Sequence, residues 1–304
     1  MDYVLQTKEL CKSFSGKKAV DNVSLGVEKG DIYGFIGENG AGKTTLMRMV
    51  SGLARPTSGE ITLFGSRDLV AQRHRTGCTI ESPALYPAMT AMQNMEVMRL
   101  LLGIEDKAAC GELLELAGIS YTGKKKARDF SLGMKQRLMI AMSLLGEPEF
   151  LVLDEPTNGL DPMGIKEVRD FMHRLNAEKG ITILVSSHIL GELEKIATRY
   201  GVISSGKMVD EFRAGELALR VGKNLLVQAS EPQRASDIVK SMFPDADIAL
   251  TPENHMRIKG HVEDAGQINK ALVEAGLTVS ALIPEGESLE EHFLRLMAGG
   301  KTNA

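Results

Sequence analysis

Residues 37 to 45 read Gly-Glu-Asn-Gly-Ala-Gly-Lys-Thr-Thr, between an apolar run ending at Ile36 and a run of helical spacing that begins at Lys43. No other segment limits the fold so strongly. Glycines let backbone N–H groups curl around an anion, and the N-terminus of the following helix adds partial positive charge. The pattern G-x-x-x-x-G-K-[ST] between a strand and a helix therefore predicts a phosphate cradle. Its members are Gly37, Glu38, Asn39, Gly40, Ala41, Gly42, Lys43, Thr44 and Thr45. Lys43 is expected to reach the β- and γ-phosphates of a nucleoside triphosphate, and Thr44 to offer its hydroxyl to Mg²⁺.

The rest of the chain supplies a matching scaffold. Phe150 to Leu153 and Ile181 to Val185 are continuous apolar runs, as expected of parallel strands covered on both faces. Ile165, Val168, Met172 and Leu175 keep a helical spacing between them. Strands alternating with helices predict an α/β core with right-handed crossovers. Thr90 to Leu145 reads as mostly helical, with Thr90 as N-cap. Met89, Met92, Met95 and Met98 crowd its start, either as helix core or as an adaptable docking face. The pattern fades around 214–223. Beyond it, strands at 224–229, 246–250, 255–259 and 277–282 alternate with helices at 233–243, 262–275 and 288–297, a small α+β unit of split βαβ type.

Bulk properties exclude several classes. The 304 residues are 25% charged and 43% hydrophobic, which allows a sizeable buried core. A net charge of -4 argues against a nucleic-acid-binding face. Cys11, Cys78 and Cys110 are odd in number and widely spaced, which predicts neither a disulfide framework nor a zinc site. No apolar run reaches the roughly 18 residues of a membrane span, and the N-terminus lacks a signal-peptide pattern. The Lys124-Lys125-Lys126 run reads as a solvated loop.

Asp154 and Glu155 close the strand Phe150 to Leu153, the end where ligands of open α/β sheets gather. Asp154 is expected in the Mg²⁺ shell, and Glu155 as the group that polarises the attacking water.

With that pair in place the sequence resembles the ABC-transporter ATPase family over roughly residues 2 to 220. Phe130-Ser131-Leu132-Gly133-Met134-Lys135-Gln136 is similar to the family's signature motif, with Leu132 and Met134 departing from its commoner form. The resemblance implies that Ser131, Gly133 and Met134 meet ATP held by an opposite subunit. Asn158-Gly159-Leu160-Asp161 resembles the dimer-contacting loop, and His188 resembles the switch histidine that senses the γ-phosphate. Phe14 stands where the family places an aromatic that stacks on adenine; the alternative is a core residue of the first sheet. Cys78 to Pro87 is similar to the bacitracin-resistance and lantibiotic-immunity branch, with Glu81 where most members carry glutamine. The resemblance places Glu81 at both Mg²⁺ and the membrane partner.

The expectation is an α/β fold: a P-loop NTPase core of the ABC ATPase type at 2–220, with a helical subdomain at about 81–146. A C-terminal α+β accessory domain follows at 221–304. The chain is read as an ATP-hydrolysing subunit that powers a separate membrane permease, exporting a peptide antibiotic or similar amphiphile. It is expected to act as a homodimer, with ATP and Mg²⁺ as cofactors and no nucleic-acid partner, on the inner face of the cell membrane through its permease. The alternatives are a soluble ABC-type ATPase acting on nucleic acid or ribosomes, and a non-enzymatic nucleotide-gated regulator. Lys43 is the mobile cation of the loop, so Lys43→Ala should weaken ATP binding by about tenfold or more. That is the factor expected from losing charge-assisted hydrogen bonds worth about 1.5–3 kcal/mol. Isothermal calorimetry checks it, and unchanged affinity would overturn the assignment of the loop.

Overall fold

The computed structural model describes residues 2–80, 85–216, 223–252 and 254–286. It divides into two compact units, with the boundary between Ala214 and Gly215. The sequence-derived boundary at 220/221 and the helix expected at 288–297 fall outside the described residues.

The first unit is built around β3 (Ile32–Ile36), whose five residues are all buried. Beside it lie β5 (Thr76–Thr79), β6 (Phe150–Leu153), β7 (Thr182–Ser187), β8 (Arg199–Ser204) and β9 (Lys207–Arg213). They form one sheet in the order β5-β6-β7-β3-β8-β9. Every neighbouring pair is parallel except β8 with β9. All residues of β6 and β7 are buried, so their continuous apolar runs meet the burial a covered parallel strand requires.

A second sheet packs its apolar residues into the same core. It comprises β1 (Tyr3–Phe14), β2 (Lys17–Glu28) and β4 (Ser58–Leu63), antiparallel in the order β2-β1-β4. Leu5, Leu10, Val23 and Leu63 from this sheet share one cluster with Tyr33 and Phe35 of β3 and with Leu46 and Met47 of α1 (Lys43–Ser51). One face of the sheet is thus buried, while residues of the other face stay exposed or half-buried.

Helix α2 (Leu69–Arg73) follows β4, and Arg73 donates to the carbonyls of Val50 (3.0 Å) and Met49 (3.1 Å) at the end of α1. Thr90 caps α3 (Ala91–Leu101) in a reciprocal capping box with Gln93. Then come α4 (Ala108–Leu116) and α5 (Leu132–Ser143), so the stretch is mostly helical as expected, with two 3-10 turns between α4 and α5. Of the four methionines, Met95 alone is fully buried and Met92 is exposed, so the cluster is neither wholly core nor wholly surface. Asp161 caps α6 (Pro162–Lys179), with Pro162 where its missing N–H costs nothing. The short α7 (Leu190–Leu193) follows β7.

The second unit contains β10 (Lys223–Ala229), α8 (Pro232–Met242), β11 (Ile248–Leu250), β12 (Met256–Lys259), α9 (Ala265–Glu274) and β13 (Val279–Gly286). The sheet order is β11-β12-β10-β13, with every pair antiparallel. Each helix joins strands that are not neighbours, which is the split βαβ arrangement. Its own core holds Leu225, Val227, Val239, Met256, Ile258, Ile268 and Leu272.

Phe35 is fully buried at the centre of the first unit. Phe35→Ala should therefore cost about 3–5 kcal/mol through lost transfer energy and the cavity left behind. Urea unfolding of the full chain followed by circular dichroism checks it; a loss under about 1 kcal/mol would contradict the placement.

Candidate functional site

The backbone between β3 and α1 explains its glycines. A Cβ on Gly37 would lie 2.4 Å from the carbonyl oxygen of Ile203, so only glycine fits beside β8. Gly42 has φ 109, and a Cβ there would lie 2.4 Å from the Ala19 carbonyl. This left-handed residue is the N-cap of α1, and it turns the loop into the helix without a side chain in the way.

Lys43, the first residue of α1, is only 4% exposed. Its Nζ donates to the carbonyls of Gly37 (2.7 Å) and Glu38 (3.2 Å) and lies 3.1 Å from Glu155 Oε1. The remaining carboxylate oxygen, Glu155 Oε2, accepts from His188 Nδ1 at 2.8 Å. Lys43, Glu155 and His188, far apart in sequence, are thus one hydrogen-bonded chain.

Asp154 and Glu155 leave the end of β6, and the ends of β7 and β3 lie alongside. The Asp154 N–H donates to Thr79 at the end of β5 (2.9 Å). Glu155 has φ 46, a left-handed conformation that strains a residue bearing a Cβ by about 1–2 kcal/mol. The turn is held by Ser186 on β7: its Oγ accepts the Glu155 N–H at 2.9 Å and donates to Asp154 Oδ1 at 2.6 Å. Nothing in the sequence pattern singles out Ser186. A serine in a strand is unremarkable by itself, and its partners lie 31 and 32 residues away.

A cleft of about 590 Å³ opens at these strand ends. Asn39 and Thr44 from the glycine-rich loop, Asp154 and Glu155 from β6, and Leu132, Lys135 and Gln136 from the first turn of α5 all line it. Gly40 and Glu38 sit exposed on the loop, as do Asn39 and the turn at Asn158 and Gly159, while Ala41 and Gly42 are buried and Thr45 is half-buried. Ser131 is the N-cap of α5, accepting the Met134 N–H at 3.2 Å, and remains solvent-exposed; Gly133 and Met134 are buried behind it. Phe14, at the end of β1, is 50% exposed, which removes the reading of it as a core residue. Lys12 Nζ lies 4.9 Å from its ring centroid. Glu81 lies outside the described residues.

Thr44 and Asp154 offer hard oxygen donors to one cleft. Among the described residues no group of three or more His, Cys, Asp and Glu could hold a metal by itself. One hydroxyl and one carboxylate suit Mg²⁺, which keeps several waters and takes its other ligands from phosphates. The residues present therefore fit that ion. No described helix is long and apolar enough to cross a membrane.

The sequence pattern of the family described as ABC transporter matches residues 20–158. The chain is 41% identical over 303 residues to the bacitracin transport ATP-binding protein BcrA of Bacillus licheniformis, which covers 99% of each. It is 42% identical over 208 residues to the lantibiotic transport ATP-binding protein SrtF of Streptococcus pyogenes, covering 68% of this chain and 90% of that one. Among solved structures, cbiO1 from Clostridium perfringens, part of the ABC transporter complex cbiONQ, superposes with a TM-score of 0.65. The two share 26% identity, over 80% of this chain and 97% of that one.

Ser186 is buried and serves both Asp154 and Glu155. Ser186→Ala should destabilise the first unit by about 1–3 kcal/mol, because it strands two polar groups. Denaturant unfolding checks this, and Ser186→Thr, which keeps the hydroxyl, should recover most of the loss.

Proposed function

This chain belongs to the ABC transporter family as an ATP-binding, ATP-hydrolysing subunit, and on that premise we propose that two copies clamp ATP between them to drive a separate membrane permease. The observation that carries the site assignment is the chain of contacts from Lys43 through Glu155, which lines the cleft, to His188.

In this reading the Lys43 ammonium turns from the loop carbonyls and Glu155 toward the β- and γ-phosphates. Glu155 Oε1 is then free to accept a proton from water as the water oxygen bonds the γ-phosphorus. The bond from that phosphorus to the bridging oxygen breaks, and ADP carries the charge away. His188 keeps the carboxylate aimed through its other oxygen. Thr44 and Asp154 are the residues that would hold Mg²⁺, which neutralises charge developing on the phosphate oxygens. Phe14 presents an exposed ring on which an adenine can stack.

The need for a second copy is supported by exposure. Ser131 stands free at the start of α5, and Asn158 and Gly159 are exposed beside Glu155, so these groups face outward. The kind of cargo is supported by full-length similarity to a bacitracin transport subunit, and a peptide antibiotic or similar amphiphile is the class that fits. Docking on a permease would place the chain at the inner face of the cell membrane.

Glu155→Gln tests the reading. The amide keeps hydrogen-bonding capacity but cannot take the proton, and it removes the charge that repels the γ-phosphate. Turnover should fall by about two orders of magnitude or more, from the lower end of the range for losing a general base upward. Size-exclusion chromatography with Mg-ATP should show the variant as a dimer and wild type mainly as a monomer. A variant that hydrolyses at the wild-type rate, or stays monomeric, would overturn it.

A further inference from the structure

Of three consecutive residues at and just past the end of β7, the two outer ones reach the segment that carries the two carboxylates directly. Ser186 holds Asp154 and the Glu155 N–H, and His188 holds the Glu155 carboxylate. The middle residue, Ser187, points to a different acceptor. Its Oγ lies 3.2 Å from Glu192 Oε2 and accepts the Ile189 N–H at 2.9 Å. The same Glu192 oxygen accepts a short hydrogen bond from Thr157 Oγ1. Thr157 is two residues beyond Glu155 and leads directly into Asn158-Gly159-Leu160-Asp161.

The burial pattern makes Glu192 the necessary partner. Thr157 is 6% exposed and Ser187 3% exposed, so neither hydroxyl has ready access to water. Ser187 has a second acceptor in the Ile189 carbonyl at 3.1 Å, whereas the hydroxyl of Thr157 points to Glu192. Glu192 itself is only half-buried, on α7, and one of its oxygens serves both bonds. A carboxylate acceptor makes each of these bonds stronger than a neutral pair would be.

We propose that Glu192 is a positioning residue for ATP hydrolysis: it fastens the segment bearing His188 to the segment bearing Glu155 through Ser187 and Thr157. It acts through those two hydroxyls. It sets the spacing across which His188 Nδ1 meets Glu155 Oε2, and it makes α7 and the 157–161 turn move as one piece. The bond to Thr157 also steadies the strained Glu155 turn two residues further along, in addition to the bond from Ser186.

The inference depends on the hydrolytic roles given to Glu155 and His188. Glu192→Ala should lower kcat for ATP about tenfold, with KM and the melting temperature near those of wild type. Glu192→Gln keeps an acceptor oxygen in place and should recover most of the rate. Thr157→Val should lose a similar factor, and the double variant Thr157→Val/Glu192→Ala should be no slower than either single one, because both remove the same bond. A wild-type kcat in Glu192→Ala, a loss in Glu192→Gln as large as in Glu192→Ala, or multiplicative losses in the double variant would each overturn the proposal. If Glu192→Ala melts early, the rate of Thr157→Val against that of Glu192→Gln decides the matter in folded protein. Glu155→Gln in the same assay separates the two readings. An active Glu155→Gln sinks the site assignment, whereas an inactive one beside a fully active Glu192→Ala sinks only the role of Glu192.

Discussion

The first unit depends on keeping one buried ammonium satisfied. Lys43 is nearly inaccessible, and a buried cation without acceptors costs several kcal/mol. Its acceptors come from two directions: the loop carbonyls of Gly37 and Glu38, and the carboxylate of Glu155. The first pair requires the glycine-rich turn to double back on α1. The carboxylate requires the segment after β6 to come level with the end of β3, although β7 lies between them in the sheet. The parallel registers deliver that alignment: both Leu153, the last residue of β6, and Gly34, two residues before β3 ends, pair with Val185. The lysine is thus seated by the sheet as a whole, and the same sheet order places the cleft at the strand ends.

β7 is consequently more than a filler between β3 and β6. Its last residues carry hydroxyls although the strand is wholly buried. Buried hydroxyls demand partners: Asp154 after β6 serves Ser186, while Glu192 and the Ile189 carbonyl serve Ser187. Glu155 sits at φ 46, a conformation its own side chain disfavours, and it persists because Ser186 binds both its N–H and the preceding carboxylate. The strain and the buried polar network therefore occur together, at the cleft and among the residues that would meet water and phosphate.

How much of this the sequence discloses depends on the range of the interaction. The glycine-rich loop is legible because its requirements are local: two glycines where a Cβ would strike a carbonyl, then a lysine at the helix start. The apolar runs of β6 and β7 and the second unit's alternation are legible by periodicity. So is Thr90 as a cap, because the capping box lies within four residues. Ser186, Thr157 and Glu192 are not legible. Their contacts with the turn after β6 span more than thirty residues, and nothing in the type or spacing of a serine, threonine or glutamate announces such a contact. The methionines after Thr90 show the same limit from the apolar side: helical spacing cannot say that Met95 is core and Met92 is not.

The packing of α5 on α6 carries the last step. Ser131 caps α5 and Asp161 caps α6, each through an oxygen on the N–H three residues on. Where the two helices start, glycine faces glycine: a Cβ on Gly133 would lie 3.4 Å from the Cα of Gly164, with Leu160 just beyond. Backbones this close leave no side chain to absorb relative motion, and close-packed interiors do not deform continuously. Asp161 ends the same turn that Thr157 begins, only a few residues from Glu155. A displacement of that turn must then either open a void between two glycines or carry the start of α5, and Ser131 with it. Opening the void forfeits dispersion contacts on both helices, so moving together is the lower-energy course. The exposed signature serine and the carboxylate turn are in this way parts of one rigid corner, although their sequence segments are separated by β6 and the whole of α5.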